Sequence, residues 1–350
     1  RSTLFPYTTL FRSASYFADN AKPWYNYRQH TFNIEHGRGY LYANANSQTL
    51  RFRGLVYPYR GADNNKVTLA KTGWNLIGNP FTCKVTVDHA FAELNNGSAV
   101  DYKTNGNAIM PCAGIAVYGN AGDKVTFTMV EPDQTPAPNN ASLNIAVTQQ
   151  APDRGTAAIV DNAIVSFNEG SALPKFHFME QDANIYIPQD NKEFAIATSE
   201  GYGEIPVNFK ATKDGEYTIS VTPESVVMNY LHLIDNLTGA DIDLLATSDY
   251  IFTAKTTDYE SRFRLVFACG DANGDNENAP FAFVSNGEII ITGVGDTFNA
   301  SLQIVDVMGR IIVCRDAVPA SLSTNGMAPG VYVLRLINGD DVRTQKIAIR

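Results

Sequence analysis

The chain is 350 residues long, enough for two or three domains of roughly 100–200 residues each, and its 18% charged and 44% hydrophobic content is that of a folded soluble protein, which excludes disorder and collagen-like repeats. Lys+Arg 27 against Asp+Glu 36 leaves a net charge of −9, the wrong sign for affinity to phosphate backbones or anionic lipid, so no nucleic acid is expected as a partner. The longest apolar runs, such as Glu288-Ile-Ile-Ile-Thr292, stop far short of the ~18 residues of a membrane helix, and no transmembrane segment is expected.

Residues 1–13, RSTLFPYTTLFRS, have neither the charged start and apolar core of a signal peptide nor a small-residue cleavage site. They resemble a translated adapter fragment from assembled sequence reads and are set aside as a non-native or disordered leader. The other reading, a genuine strand, rests on Leu4, Tyr7 and Leu10. On the first reading a natural N-terminal portion, with any export signal, is expected to precede Ala14.

From there onward apolar and polar residues alternate with period two in segment after segment, and helical spacing is hard to find. Residues 124–129 (Val125, Phe127, Met129), 142–148 (Leu143, Ile145, Val147) and 204–211 (Ile205, Val207, Phe209) each gather their apolar side chains on one face. So do 216–222 (Tyr217, Ile219, Val221) and 262–267 (Phe263, Leu265, Phe267). Asp214-Gly215, between two of these runs, is a hairpin signal, because a type I′ turn needs positive φ at both central residues. Residues 131–140, EPDQTPAPNN, hold three prolines and read as a linker. Residues 269–280, CGDANGDNENAP, are polar and acidic, and read as a second, exposed one. The expected fold is all-β: β-sandwich domains over 14–130 and 141–269, packed together or separate, followed by a small Ig-like sandwich over 281–350.

That last block holds strand candidates at 281–285, 288–293, 301–307, 310–315, 331–337 and 342–349, with a short one near Ala320. Asn286-Gly287, Met308-Gly309 and Asn338-Gly339 supply turns, and Val331, Val333, Ile347 and Ile349 are the expected core.

SLQIVDVMGRIIV, APGVYVLRL and the terminal QKIAIR follow one another in this block. They resemble the C-terminal (type A) sorting domain of proteins exported by the type IX secretion system of Bacteroidota. The resemblance implies an Ig-like module recognised by the outer-membrane secretion machinery and cleaved while the mature protein is attached to surface lipopolysaccharide. It implies an extracellular or outer-membrane-surface location, with cleavage before the module; the exposed composition of 269–280 suits a protease. Its signal residues fall on Asp306, Gly309 and Arg310 (D-x-x-G-R), on Pro329, Gly330 and Tyr332 (P-G-x-Y), and on the terminal basic segment, where Lys346 and Arg350 are the ones expected to matter beyond folding. Upstream, Thr72-Gly-Trp-Asn-Leu-Ile-Gly-Asn-Pro-Phe81, residues 39–44, 230–245 and 250–267 are similar to β-rich surface-protein modules of the same organisms. That names an architecture without a chemistry.

Catalytic signatures are missing: there is no G-x-S-x-G, no zinc-type His or Cys spacing, and none of the five His residues sits in a recognisable signature. Asp235, Asp241 and Asp243 are candidates for the two carboxylates of a glycosidase, but their surroundings are ordinary turn composition. Asp271, Asn273, Asp275 and Glu277 alternate as calcium ligands would, yet Asn276 stands where the loop needs Gly and Ala282 where it needs Glu, so a solvated linker is the stronger reading. No cofactor and no metal site is expected. Trp24, Tyr25, Tyr27, Tyr57 and Tyr59 are either a sugar-stacking platform or core. Of four cysteines, Cys83 and Cys112 are the candidate disulfide, while Cys269 and Cys314 straddle the expected cleavage segment and are read as unpaired; free thiols throughout are the alternative. The expected function is that of a non-enzymatic, adhesive, secreted or cell-surface β-sandwich fragment, with a glycan or host protein as its ligand. The alternatives are the accessory and sorting part of a larger secreted hydrolase, or a glycan-binding module.

Overall fold

A computed structural model describes residues 13–17, 24–26, 33–43, 58–95, 99–131, 141–150, 157–168, 172–177, 182–270, 281–292 and 300–349. The fold is all-β, and among these residues the only helical element is a single 3-10 turn, Gly61–Asp63. No helix among them is long and apolar enough to cross a membrane. The chain divides into two compact units, Arg1–Thr198 with Phe209–Ser225 and Ile251–Glu260, and Ser199–Asn208 with Val226–Tyr250 and Ser261–Arg350.

In the first unit two four-stranded sheets face each other. One runs in the order Gly73–Gly78, Gly114–Gly119, Phe91–Asn95, Ala99–Lys103; the other runs Lys66–Thr68, Lys124–Met129, Val85–Val87, Ala108–Ile109. Strict alternation sends Ile77, Phe91, Ile115, Val125 and Phe127 into the core between them. The opposite face of the first sheet is apolar too: Ala92, Tyr102 and Ala116 pack against Ile164, Leu173 and Ile196. Beyond that core Ser142–Gln150 pairs with Ala157–Ser166 on one side and Gly215–Glu224 on the other. Ser13–Phe17, Trp24–Asn26 and Leu41–Ala43 form a small three-stranded sheet. Ser13, set aside with the leader, therefore lies within a strand, while residues 1–12 lie outside the described residues.

The Asp214-Gly215 hairpin does not form. Tyr202–Ala211 pairs with Phe263–Gly270, Gly215–Glu224 pairs with Ser142–Gln150, and Gly215 lacks a positive φ. The reason is in the two apolar faces. Phe209 and Tyr217 meet edge to face at 5.3 Å, and both touch Phe252, so these apolar side chains meet through their rings while the backbones pair with other strands.

In the second unit, residues 202–208 of the strand Tyr202–Ala211, then Phe263–Gly270, Val227–Asp235 and Ala240–Asp243 lie in that antiparallel order. All seven strand candidates of the last block are strands. Ala282–Ser285, Glu288–Ile291 and Ser321–Ser323 make one sheet; Ile311–Arg315, Ser301–Asp306, Gly330–Asn338 and Asp341–Ile349 make the other. Asn286 (φ 49°) and Gly287 (φ 74°) close a two-residue turn between paired Ser285 and Glu288. Asn338 pairs with Asp341, so the last turn is Gly339-Asp340, one residue later than expected.

Leu302, Ile304, Tyr332, Leu334, Leu336 and Ile347 fill the space between these two sheets. Ile347 and Ile349 are core as expected, but Val331 is exposed and Val333 half-buried. Val331-Tyr-Val-Leu-Arg-Leu-Ile337 is apolar in both phases of the strand period, and the inward phase is the one led by Tyr332.

Candidate functional site

The three motifs of the last block converge on one end of the four-stranded sheet. Asp306 is paired with Tyr332, Tyr332 with Ile347, and Gly330 with Ile349, so D-x-x-G-R, P-G-x-Y and the terminal segment lie side by side though far apart in sequence. Lys346 pairs with Val333 and is exposed; Arg350 lies outside the described residues.

The D-x-x-G-R segment is the tip of a hairpin organised by one carboxylate. Asp306 Oδ1 accepts the backbone N–H groups of Met308 and Arg310, each at 2.9 Å, and Oδ2 accepts Arg310 Nε at 2.7 Å. The Asp306 backbone closes the same turn, its N–H donating to the Arg310 carbonyl and its carbonyl accepting from Gly309. The Arg310 N–H, with the guanidinium and the Met308 N–H, holds the Asp306 carboxyl below the usual carboxylate range. Gly309 has φ 80° and nothing within 4 Å of where a Cβ would stand, so glycine is required there by the backbone and not by space. The tip carries Val307 (76% exposed) and Met308 (78% exposed) into solvent, and Ile311, Ile312 and Val331 are exposed beside it.

At P-G-x-Y the Tyr332 ring is buried, and its hydroxyl donates to the Ala328 carbonyl at 2.7 Å. That bond fixes the approach through exposed Pro329 in the manner of a tyrosine corner. Sequence reasoning missed the side chain that closes the module, Gln345. Its Oε1 accepts the N–H groups of Phe281 (2.6 Å) and Ala282 (2.8 Å), and its Nε2 donates to the Ala282 carbonyl, tying the first strand to the last across the two sheets. The signal was available: Gln345 shares the inward phase with Ile347 and Ile349, and a polar residue there needs partners.

Neither a protein-family model nor a curated protein matches this chain.

Asp235 is fully buried, its carboxylate 2.9 Å from Arg262 Nη2, with the Tyr250 hydroxyl at 3.0 Å and the Leu237 N–H at 2.9 Å. Burial pushes this carboxyl up, but Arg262, the Leu237 N–H and Tyr250 outweigh it and the group sits below its ordinary value. Asp241 and Asp243 are exposed and flank the His232 ring at 2.7 and 4.0 Å. The ring stacks on Tyr230 at 4.1 Å. Asp235 thus points into a core while the other two face solvent, and the three do not frame a shared cleft.

A second buried ion pair, not anticipated from the sequence, is Lys175 with Asp161 at 2.7 Å. Lys175 Nζ also donates to the carbonyls of Asn162 (3.0 Å) and Ile185 (2.7 Å) and lies 4.5 Å from the centre of the Tyr102 ring. Burial lowers the lysine and raises the aspartate, and the mutual attraction opposes both shifts. With an acceptor for each of its three protons, this ammonium is held as a packing element.

The Cys83–Cys112 disulfide is not made, and all four cysteines are free thiols. Cys83 packs against the core of the first sandwich, while Cys112 sits exposed at φ 63° in a turn, so the two side chains serve different surroundings. Asp271, Asn273, Asp275 and Glu277 lie outside the described residues, within which no cluster of three or more His, Cys, Asp or Glu is placed to hold a metal. Of the five aromatics weighed as a sugar platform, Tyr59 packs edge to face on Phe81 at 5.1 Å and donates to the Phe127 carbonyl. Tyr27 and Tyr57 lie outside the described residues, as do the side chains of Trp24 and Tyr25.

Proposed function

We propose that residues 281–350 are an export address of the type IX sorting-domain kind, carried by a non-enzymatic surface or secreted β-sandwich protein that is delivered to the outer-membrane surface. The observation that carries this reading is the convergence of Asp306–Arg310, Pro329–Tyr332 and the terminal strand on one end of one sheet, where Val307, Met308, Ile311 and Val331 stand uncovered. Folding alone gives no reason to leave such side chains in water together, and uncovered apolar clusters on small domains mark surfaces that meet a partner. The partner proposed is the secretion machinery, with attachment to surface lipopolysaccharide following removal of the module. An adhesive role for the upstream sandwiches, toward a glycan or a host protein, is part of the same proposal.

Fusing residues 281–350 to a reporter, behind an inner-membrane export signal, in a host that has the secretion system tests it. Export of the reporter, abolished when Val307 and Met308 are both replaced by serine, is the expected result. Retention of the unaltered fusion inside the cell refutes the reading.

A further inference from the structure

The hairpin that opens the last block is buried on both faces. Ala282, Val284, Ile289 and Ile291 point into the module's own core. The other phase points the opposite way: Phe283 (5% exposed) and Ile290 (7% exposed) pack with Val266, Ala268, Tyr202, Tyr230 and Ile234 of the preceding strands. Phe283 meets the Tyr230 ring edge to face at 5.9 Å. At the border of this apolar seat the buried Ser285 hydroxyl donates to Glu204 Oε2 at 2.6 Å, and the same oxygen accepts Arg264 Nη1 at 3.1 Å. The run Glu288-Ile-Ile-Ile291 has the continuous apolarity of a strand covered on both sides, which a free-standing module would not need.

The geometry points to a docked module: after the chain is cut between Gly270 and Phe281, residues 281–350 stay bound to the strands of 199–270 through Phe283, Ser285 and Ile290, and leave only when something else covers that face. The partner of this surface is thus the chain's own upstream sheet. The inference concerns the fate of the module after cleavage and so goes beyond the sorting reading; reporter export can succeed or fail independently of it.

A site-specific protease sequence flanked by glycine-serine spacers, inserted between Asn276 and Glu277 of the full chain, allows a single cut. The cut protein is then passed over a sizing column at about 10 µM, well above the dissociation constant expected for a packed aromatic seat. Co-elution of the two fragments is expected. In the Phe283→Ala chain, cut in the same way, the dissociation constant rises by roughly 100-fold and the fragments part on dilution. Separation of the unaltered fragments overturns the inference, as does unchanged co-elution of the Phe283→Ala fragments on dilution to the point where unaltered ones begin to part.

Discussion

Replacing Gln345 by alanine removes three hydrogen bonds with one truncation: the N–H groups of Phe281 and Ala282 lose their acceptor, and the Ala282 carbonyl loses a donor. Each such bond is worth about 0.5–1.5 kcal/mol net, so the loss is about 3 kcal/mol. A core of this size rarely holds more than about 3–5 kcal/mol, which makes Gln345 a large share of what keeps the first strand against the last. Amide hydrogen exchange reads the effect directly. The Phe281 and Ala282 amides exchange roughly 100-fold faster in Gln345→Ala, since about 1.4 kcal/mol is a factor of ten. Gln345→Glu keeps the two acceptor contacts but sets a carboxylate oxygen against the Ala282 carbonyl in place of the donor, so it also loses protection at these amides. Exchange in Gln345→Ala within about threefold of the unaltered protein would refute the reasoning, because it would mean that the clamp carries no more than about 0.7 kcal/mol.

Asp235→Ala strips the carboxylate from a buried guanidinium and costs about 3–5 kcal/mol in denaturant unfolding; Arg262→Met in the same chain recovers most of it, because the cost lies in the stranded charge. The Asp235 carboxyl is held below its ordinary 3.8, so its contribution is complete above that pH and is lost as pH falls through the depressed value. Acid titration of stability in Asp235→Ala should accordingly lack that part of the loss below about pH 4. The Cys269 thiol is pushed up to about 11 by burial, against 9.0 for an ordinary thiol, so at pH 8 it alkylates about 100-fold more slowly than a free cysteine, as mass spectrometry of partially labelled peptides will show.

Period two made the strands of this protein readable. Ile205, Val207 and Phe209 alternate with polar neighbours, and so do Tyr217, Ile219 and Val221, and each set is buried as the alternation requires. Which strand pairs with which was not readable at Asp214-Gly215, because a turn dipeptide specifies a local bend while pairing is decided by which apolar faces must meet. The same ambiguity misled the reading of 331–337. With both phases apolar, only Arg335 marks the outer face, and the Tyr332 hydroxyl bond to Ala328 that selects the inward phase is a three-dimensional fact.

In the site, the motifs gave the hairpin tip and its glycine. Gln345 and the double burial of Phe283-Val-Ser285 were present as signals of another kind, a polar residue on an inward phase and an apolar run without a polar side. The ion pairs Asp235–Arg262 and Lys175–Asp161 left no trace in sequence spacing, since their partners are 27 and 14 residues apart and meet only when the sheets close.

The most direct measurement compares the full chain with one ending at Pro280, each behind the same inner-membrane export signal, in a host carrying the type IX system. The fraction of each protein at the cell surface and in the medium is then quantified. The account predicts that the full chain reaches the surface and that the shortened chain stays inside the cell envelope. Equal amounts of both outside the cell would contradict it.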